Sequence, residues 1–121
     1  MRFLPMGIPV VFWLVTRILG FEGVYGQDAY EYARYTEALT HFYQTGQSPG
    51  DYFWPLLYPI IGSVFNLVLP VAMSLQLVSV LAFAGVGYLV QRMLTLDFAG
   101  HEKTIRIFLL LVLGLSPYFI R

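Results

Sequence analysis

GQDAYEYARYTEALTHFYQTGQSPGDYFWPLLY, residues 26–58, is a polar, tyrosine-rich and acidic tract set between strongly apolar runs. Asp28, Glu31, Glu37 and Asp51 fall inside it and Glu22 lies just before it, which leaves only Asp97 and Glu102 elsewhere in the chain. Arg34 is its single lysine or arginine. The tract therefore reads as a loop outside the membrane in a protein that is otherwise greasy, and it is where such a protein would keep its chemistry.

Composition agrees with that division. Of 121 residues, 58% are hydrophobic and 12% charged, about half the charge of an ordinary soluble domain. Net charge is zero, so there is no electrostatic case for a nucleic-acid partner. With no cysteine, disulfides and thiolate metal sites are excluded. Three apolar runs, at about residues 3–21, 71–94 and 105–120, predict three transmembrane helices around an outer loop at 22–70, the first two near or above the roughly 20 residues that a bilayer core requires. The first is expected to be an uncleaved anchor, because no small-residue cleavage site follows it. The third is short and ends at Arg121 without a polar tail, as expected of a piece of a longer chain.

Arg2 precedes the first run, and Arg92, Lys103 and Arg106 bracket the connection between the second and third. The positive-inside rule then puts the N-terminus and the 95–104 connection in the cytoplasm and the long loop outside. Within that loop, Asp28, Tyr32, Tyr35, Leu39 and Phe42 share one side of a helical wheel. Arg34, Glu37, Thr40, His41 and Gln44 share the other. That pattern predicts an amphipathic interfacial helix. Residues 44–50, QTGQSPG, form a turn. Pro55 then opens a second helix directed toward Leu69, and Pro70 breaks it before the next span.

Asp28 is the acid with the most to offer, and it has two readings. It stands three residues before Glu31, a D-x-x-E variant of the capping box that would make it a helix cap. Alternatively, a carboxylate where the loop meets the membrane takes a proton from a hydroxyl. Arg17, at the outer end of the first span, suits a phosphate by bidentate pairing, or else snorkels to the headgroups. Glu37 and His41 at i and i+4 form only a weak metal pair. The tyrosines and Trp54 suit an interfacial aromatic belt, or stacking on a ligand's faces.

Arg17, Gln27-Asp28, Tyr30, Tyr32, Ala33, Gly46, Pro49, Trp54-Pro55-Leu56-Leu57-Tyr58-Pro59 and Ser116-Pro117 together give a pattern that resembles the N-terminal part of the GT-C superfamily of polytopic glycosyltransferases. The members it is most similar to are the protein O-mannosyltransferases and the lipid A aminoarabinose transferase. The resemblance implies an all-α polytopic fold in a bacterial inner membrane. It also implies transfer of a sugar from a polyprenyl-phosphate donor to a lipid, glycan or protein acceptor on the outer face. Under it Asp28 is the catalytic base or the ligand of a divalent metal ion, and Arg17, Glu31, Tyr32 and Trp54 bind substrate. Two departures stand out: Gln27 replaces the first of a pair of acids, and Trp54-Pro55 replaces two prolines. Such enzymes also have further spans and a second acid in a later outer loop. The alternative expectation is a small non-catalytic integral membrane subunit, or a truncated remnant.

Overall fold

In a computed structural model, which describes residues 4–21, 26–97 and 100–115, the chain is all helical, with no strand among the described residues. Five helices follow in order: α1 (Leu4–Ile18), α2 (Gln27–Thr45), α3 (Leu57–Asn66), α4 (Val71–Asp97) and α5 (Glu102–Leu115). They form two compact units, Gly20–Ser79, and Met1–Leu19 with Val80–Arg121.

One helix among the described residues is long and apolar enough to cross a membrane, Val71–Leu96 within α4. Its 26 residues rise about 39 Å, more than the roughly 30 Å hydrocarbon core. Three spans were expected. The helix at the first apolar run, α1, has only 15 residues, a rise of about 22 Å. The run at 105–120 lies in α5 as far as Leu115, and its remaining residues fall outside those described.

In the first unit, helix α2 ends where the sequence turns. Gly46 adopts a left-handed φ of 74° and its N–H bonds the Phe42 carbonyl at 2.8 Å, the backbone conformation that only glycine adopts without cost. After the 46–56 connection, α3 begins at Leu57, with Pro59 in its first turn where a missing N–H costs nothing. The second loop helix thus starts two residues after Pro55 and stops at Asn66, short of Leu69. Pro70 separates it from α4 as the sequence predicts, and the Pro70 carbonyl accepts from the Ser74 N–H at 3.0 Å.

Helices α2 and α3 pack directly on each other, and their shared interior is made of small hydroxylated residues. Thr36, Ser63 and Ser74 are wholly buried, beside Pro59, Tyr35, Leu39, Leu75 and Val78. Gly62 sits where a Cβ would lie 2.7 Å from Leu75 Cδ2 and 3.4 Å from Thr36 Cγ2. A side chain at 62 would have to displace the end of the Leu75 side chain.

The buried hydroxyls are satisfied. Thr36 donates to the Tyr32 carbonyl at 2.7 Å, and Ser63 donates to the Ile60 carbonyl at 2.7 Å. Thr40 Oγ1 lies 2.9 Å from the Thr36 carbonyl and 3.3 Å from that of Ser63, and accepts from Asn66 Nδ2 at 3.0 Å. The helical wheel is corrected here. Thr40 is buried rather than on the solvent side, while Asp28 and Phe42 are exposed. A threonine that bonds its own helix backbone no longer behaves as a polar surface residue.

In the second unit α1 packs on α5, whose Ile105 and Leu109 are buried one turn apart. Pro9 lies inside α1 and the helix continues through it. Gln91 of α4 is buried there.

Candidate functional site

The acidic tract closes on itself. Helix α2 presents Glu31 and Arg34 one turn apart, and the chain returning from the 46–50 turn lays Asp51, Tyr52, Phe53 and Trp54 against them. Together these six residues line an open depression of about 420 Å³. Two carboxylates, one guanidinium and three aromatic rings meet in that space.

Aromatic contacts hold the returning strand of chain in place. Tyr52 stacks on Tyr35 of α2 with ring centres 3.8 Å apart and planes 7° from parallel. Trp54 leans on Tyr32 at 6.4 Å, and Tyr32 in turn meets the edge of Tyr58 at 5.0 Å. The Tyr58 hydroxyl lies 2.9 Å from both the Leu75 carbonyl and Ser79 Oγ. The ring of Trp54 is thereby tied through α2 and α3 to the first turns of α4. Each aromatic pair contributes roughly 0.5–1.5 kcal/mol beyond burial, enough to order a short connection without a regular element. Phe53 meets Trp54 edge-on at 6.2 Å and is otherwise almost fully exposed.

The charges of the depression are partly spent internally. Arg34 grips Glu31 Oε2 through Nε at 3.1 Å and Nη2 at 2.9 Å, and the Glu31 carboxylate holds the guanidinium pKa above its ordinary value. Asp51 is exposed at the rim. Burial, assisted by neighbouring Tyr32 and Glu31, pushes the Tyr52 phenol up to about 12. Its oxygen is out of solvent's reach with no hydrogen-bond partner. A depression with this lining suits a hydroxyl-rich ligand: ring faces meet C–H groups, and carboxylates accept from hydroxyls.

The expected site residues divide into two groups. Glu31, Tyr32 and Trp54 come together in one unit, Glu31 and Trp54 lining the depression and Tyr32 supporting it. Asp28 is exposed and does not line the depression. It lies one helical turn before Glu31, at about the 5–6 Å Cβ spacing of such neighbours. Arg17 is half-buried in the last turn of α1, where a cation complements the helix dipole. It belongs to the other unit.

The capping reading of Asp28 is corrected. The residue before the helix is Gly26, so Asp28 is already in the first turn, and Glu31 is engaged forward by Arg34 instead of reaching back. An acid in the first turn is still favourable to the helix dipole. Among the described residues no group of three or more His, Cys, Asp or Glu could hold a metal ion. Asp51, Arg34 and Phe53 were not expected as site residues, and Tyr52 only as one of the tyrosines. The signal that could have found them is the run of one acid and three aromatics directly after a Gly/Pro turn.

No family model, curated protein or solved structure matches this chain.

Proposed function

We propose that the chain is the first part of a membrane glycosyltransferase of GT-C type, which moves a sugar from a polyprenyl-phosphate donor to an acceptor hydroxyl at the outer membrane face. The observation that carries this reading is the depression of Glu31, Arg34, Asp51, Tyr52, Phe53 and Trp54, one helical turn from Asp28. The aromatic rings hold the sugar, and the Asp51 and Glu31 carboxylates accept from its hydroxyls. Asp28, exposed beside them, takes the proton of the acceptor hydroxyl. The acceptor oxygen bonds the anomeric carbon, and the bond from that carbon to the phosphate oxygen breaks. Polyprenyl phosphate leaves with the electron pair, and the anomeric configuration inverts.

In this reading α1, α4 and α5 are three spans of a bacterial inner-membrane protein. The N-terminus and the connection before α5 are cytoplasmic, and the 22–70 segment is outside. Further spans complete the catalytic module. A second reading, a small non-catalytic membrane subunit, is favoured by Asp28 standing at the surface and not in the depression.

Transfer by the complete enzyme in proteoliposomes separates the two. Asp28→Asn is expected to insert normally and to lose at least about 100-fold in rate, the lower end of what a general base supplies. Undiminished transfer by that variant would remove Asp28 from the mechanism.

A further inference from the structure

The unit formed by α2, α3 and the start of α4 has its polarity reversed on one side only. Helix α3 carries two stripes. Tyr58, Pro59, Gly62, Ser63 and Asn66 turn inward, and their polar atoms are used there: Tyr58 against Leu75 and Ser79, Ser63 against Ile60 and Tyr43, Asn66 against Thr40. The opposite stripe is purely aliphatic and faces out, with Leu57 70% and Val64 56% exposed and Ile60 and Ile61 between them, and Val68 just after the helix is 83% exposed. In water the reverse is the rule: apolar stripes face the core and polar ones the solvent.

Charge sharpens the contrast. Between Asp51 and Arg92 there is no Asp, Glu, Lys, Arg or His. That uncharged tract contains all of α3 and runs without interruption through Pro70 into the helix that is long enough to cross a membrane. Helix α2, packed on the inner side of α3, keeps Arg34, Glu37 and His41 exposed. An outward aliphatic stripe that is continuous with a spanning helix and free of charge fits acyl chains. A protein partner in water would ordinarily bring a polar rim.

We infer that the Leu57–Ile60–Ile61–Val64 face of α3, with Val68 just past its end, is seated in the lipid bilayer, and that α2 rides on its inner side toward water. This rests on the membrane reading of α4. The hydroxyl-lined interior has a physical reason under this arrangement: polar atoms near hydrocarbon must be satisfied within the protein. The small residues Gly62 and Ser63 allow the close helix contact that packing in lipid relies on.

The chain has no cysteine, so single-cysteine variants carry one label each. Val64→Cys, Val68→Cys, Glu37→Cys and, on α4, Leu89→Cys are labelled with an environment-sensitive fluorophore in the full chain. They are then reconstituted in phosphatidylcholine/phosphatidylglycerol vesicles and quenched with brominated lipid or with aqueous iodide. The labels at 64, 68 and 89 are expected to be quenched by brominated lipid and protected from iodide, and the label at 37 the reverse. Iodide quenching at 64 and 68, with lipid quenching kept at 89, overturns the α3 assignment and leaves the membrane reading standing. Protection of 64 from both quenchers also overturns it, because a protein then covers that face. Iodide quenching at 89 ends the membrane reading and this inference together.

Discussion

Helices α2 and α3 pack on the same small-residue seam yet present opposite outer surfaces. On α2, Thr36 and Thr40 are inside and Arg34, Glu37 and His41 outside. On α3, Gly62 and Ser63 are inside and Leu57, Ile61 and Val64 outside. The seam is therefore not selected by hydrophobicity, since both helices bury hydroxyls and α3 exposes its best aliphatic residues. It is selected by size and by hydrogen bonds that can be completed at short range. The outer faces then record the surroundings of each helix, charged for one and apolar for the other.

The most severe way to break this seam is to thicken it. Gly62→Leu puts a side chain where a Cβ alone meets Leu75 Cδ2 at 2.7 Å. The expected loss is about 3 kcal/mol, the upper range for overpacking, read from denaturant-induced loss of helical circular dichroism. Pairing the milder Gly62→Ala with Leu75→Ala should recover part of the loss, since that side chain is the nearest obstacle. Removing a bond from the seam costs less. Thr40→Val leaves the Asn66 amide without its acceptor and should cost about 1–2 kcal/mol in the same measurement. A valine at this site that stabilised the protein would mean that the hydroxyl network is incidental.

The smallest effect belongs to the rim. Tyr52→Phe keeps the stack on Tyr35 and deletes a hydroxyl that has no partner, so stability should be unchanged or higher by up to about 1 kcal/mol. Its pH dependence has a definite sign. The folded state holds the Tyr52 proton up to about pH 12, against about 10 in the unfolded chain. The contribution of that phenol is therefore intact below pH about 10 and lost as pH rises through about 12. Alkaline unfolding of the phenylalanine variant should be correspondingly flatter, and the late part of its tyrosinate absorbance should shrink, burial of Tyr58 leaving a second phenol raised.

Much of this was legible in the chain. The Gly/Pro break, expected at 44–50 and found only after Thr45, the stop at Pro70 and the long apolar run of α4 follow from residues whose backbone or hydropathy leaves little choice. The inward placement of Tyr35 and Leu39 followed from helical spacing. Thr40 did not, because a wheel scores a hydroxyl as polar and takes no account of the carbonyl one turn away. The start of α2 was misplaced by a D-x-x-E pattern that fits two registers. Arg34, at i+3 from Glu31, engages the same carboxylate. The depression was half visible: its aromatic run could be read, but its partners on α2 depend on where the returning chain lands.

The sugar-binding reading rests on Trp54, and Trp54 is also the most direct reporter. Trp13→Phe leaves it as the sole tryptophan, and its fluorescence in vesicles can be titrated with a polyprenyl-phosphate-linked sugar and, in parallel, with the bare polyprenyl phosphate. A saturable change with the sugar-bearing lipid that the bare lipid does not produce is the expected result. An identical response to both lipids, or no response to either, would contradict a sugar held against the Trp54 face.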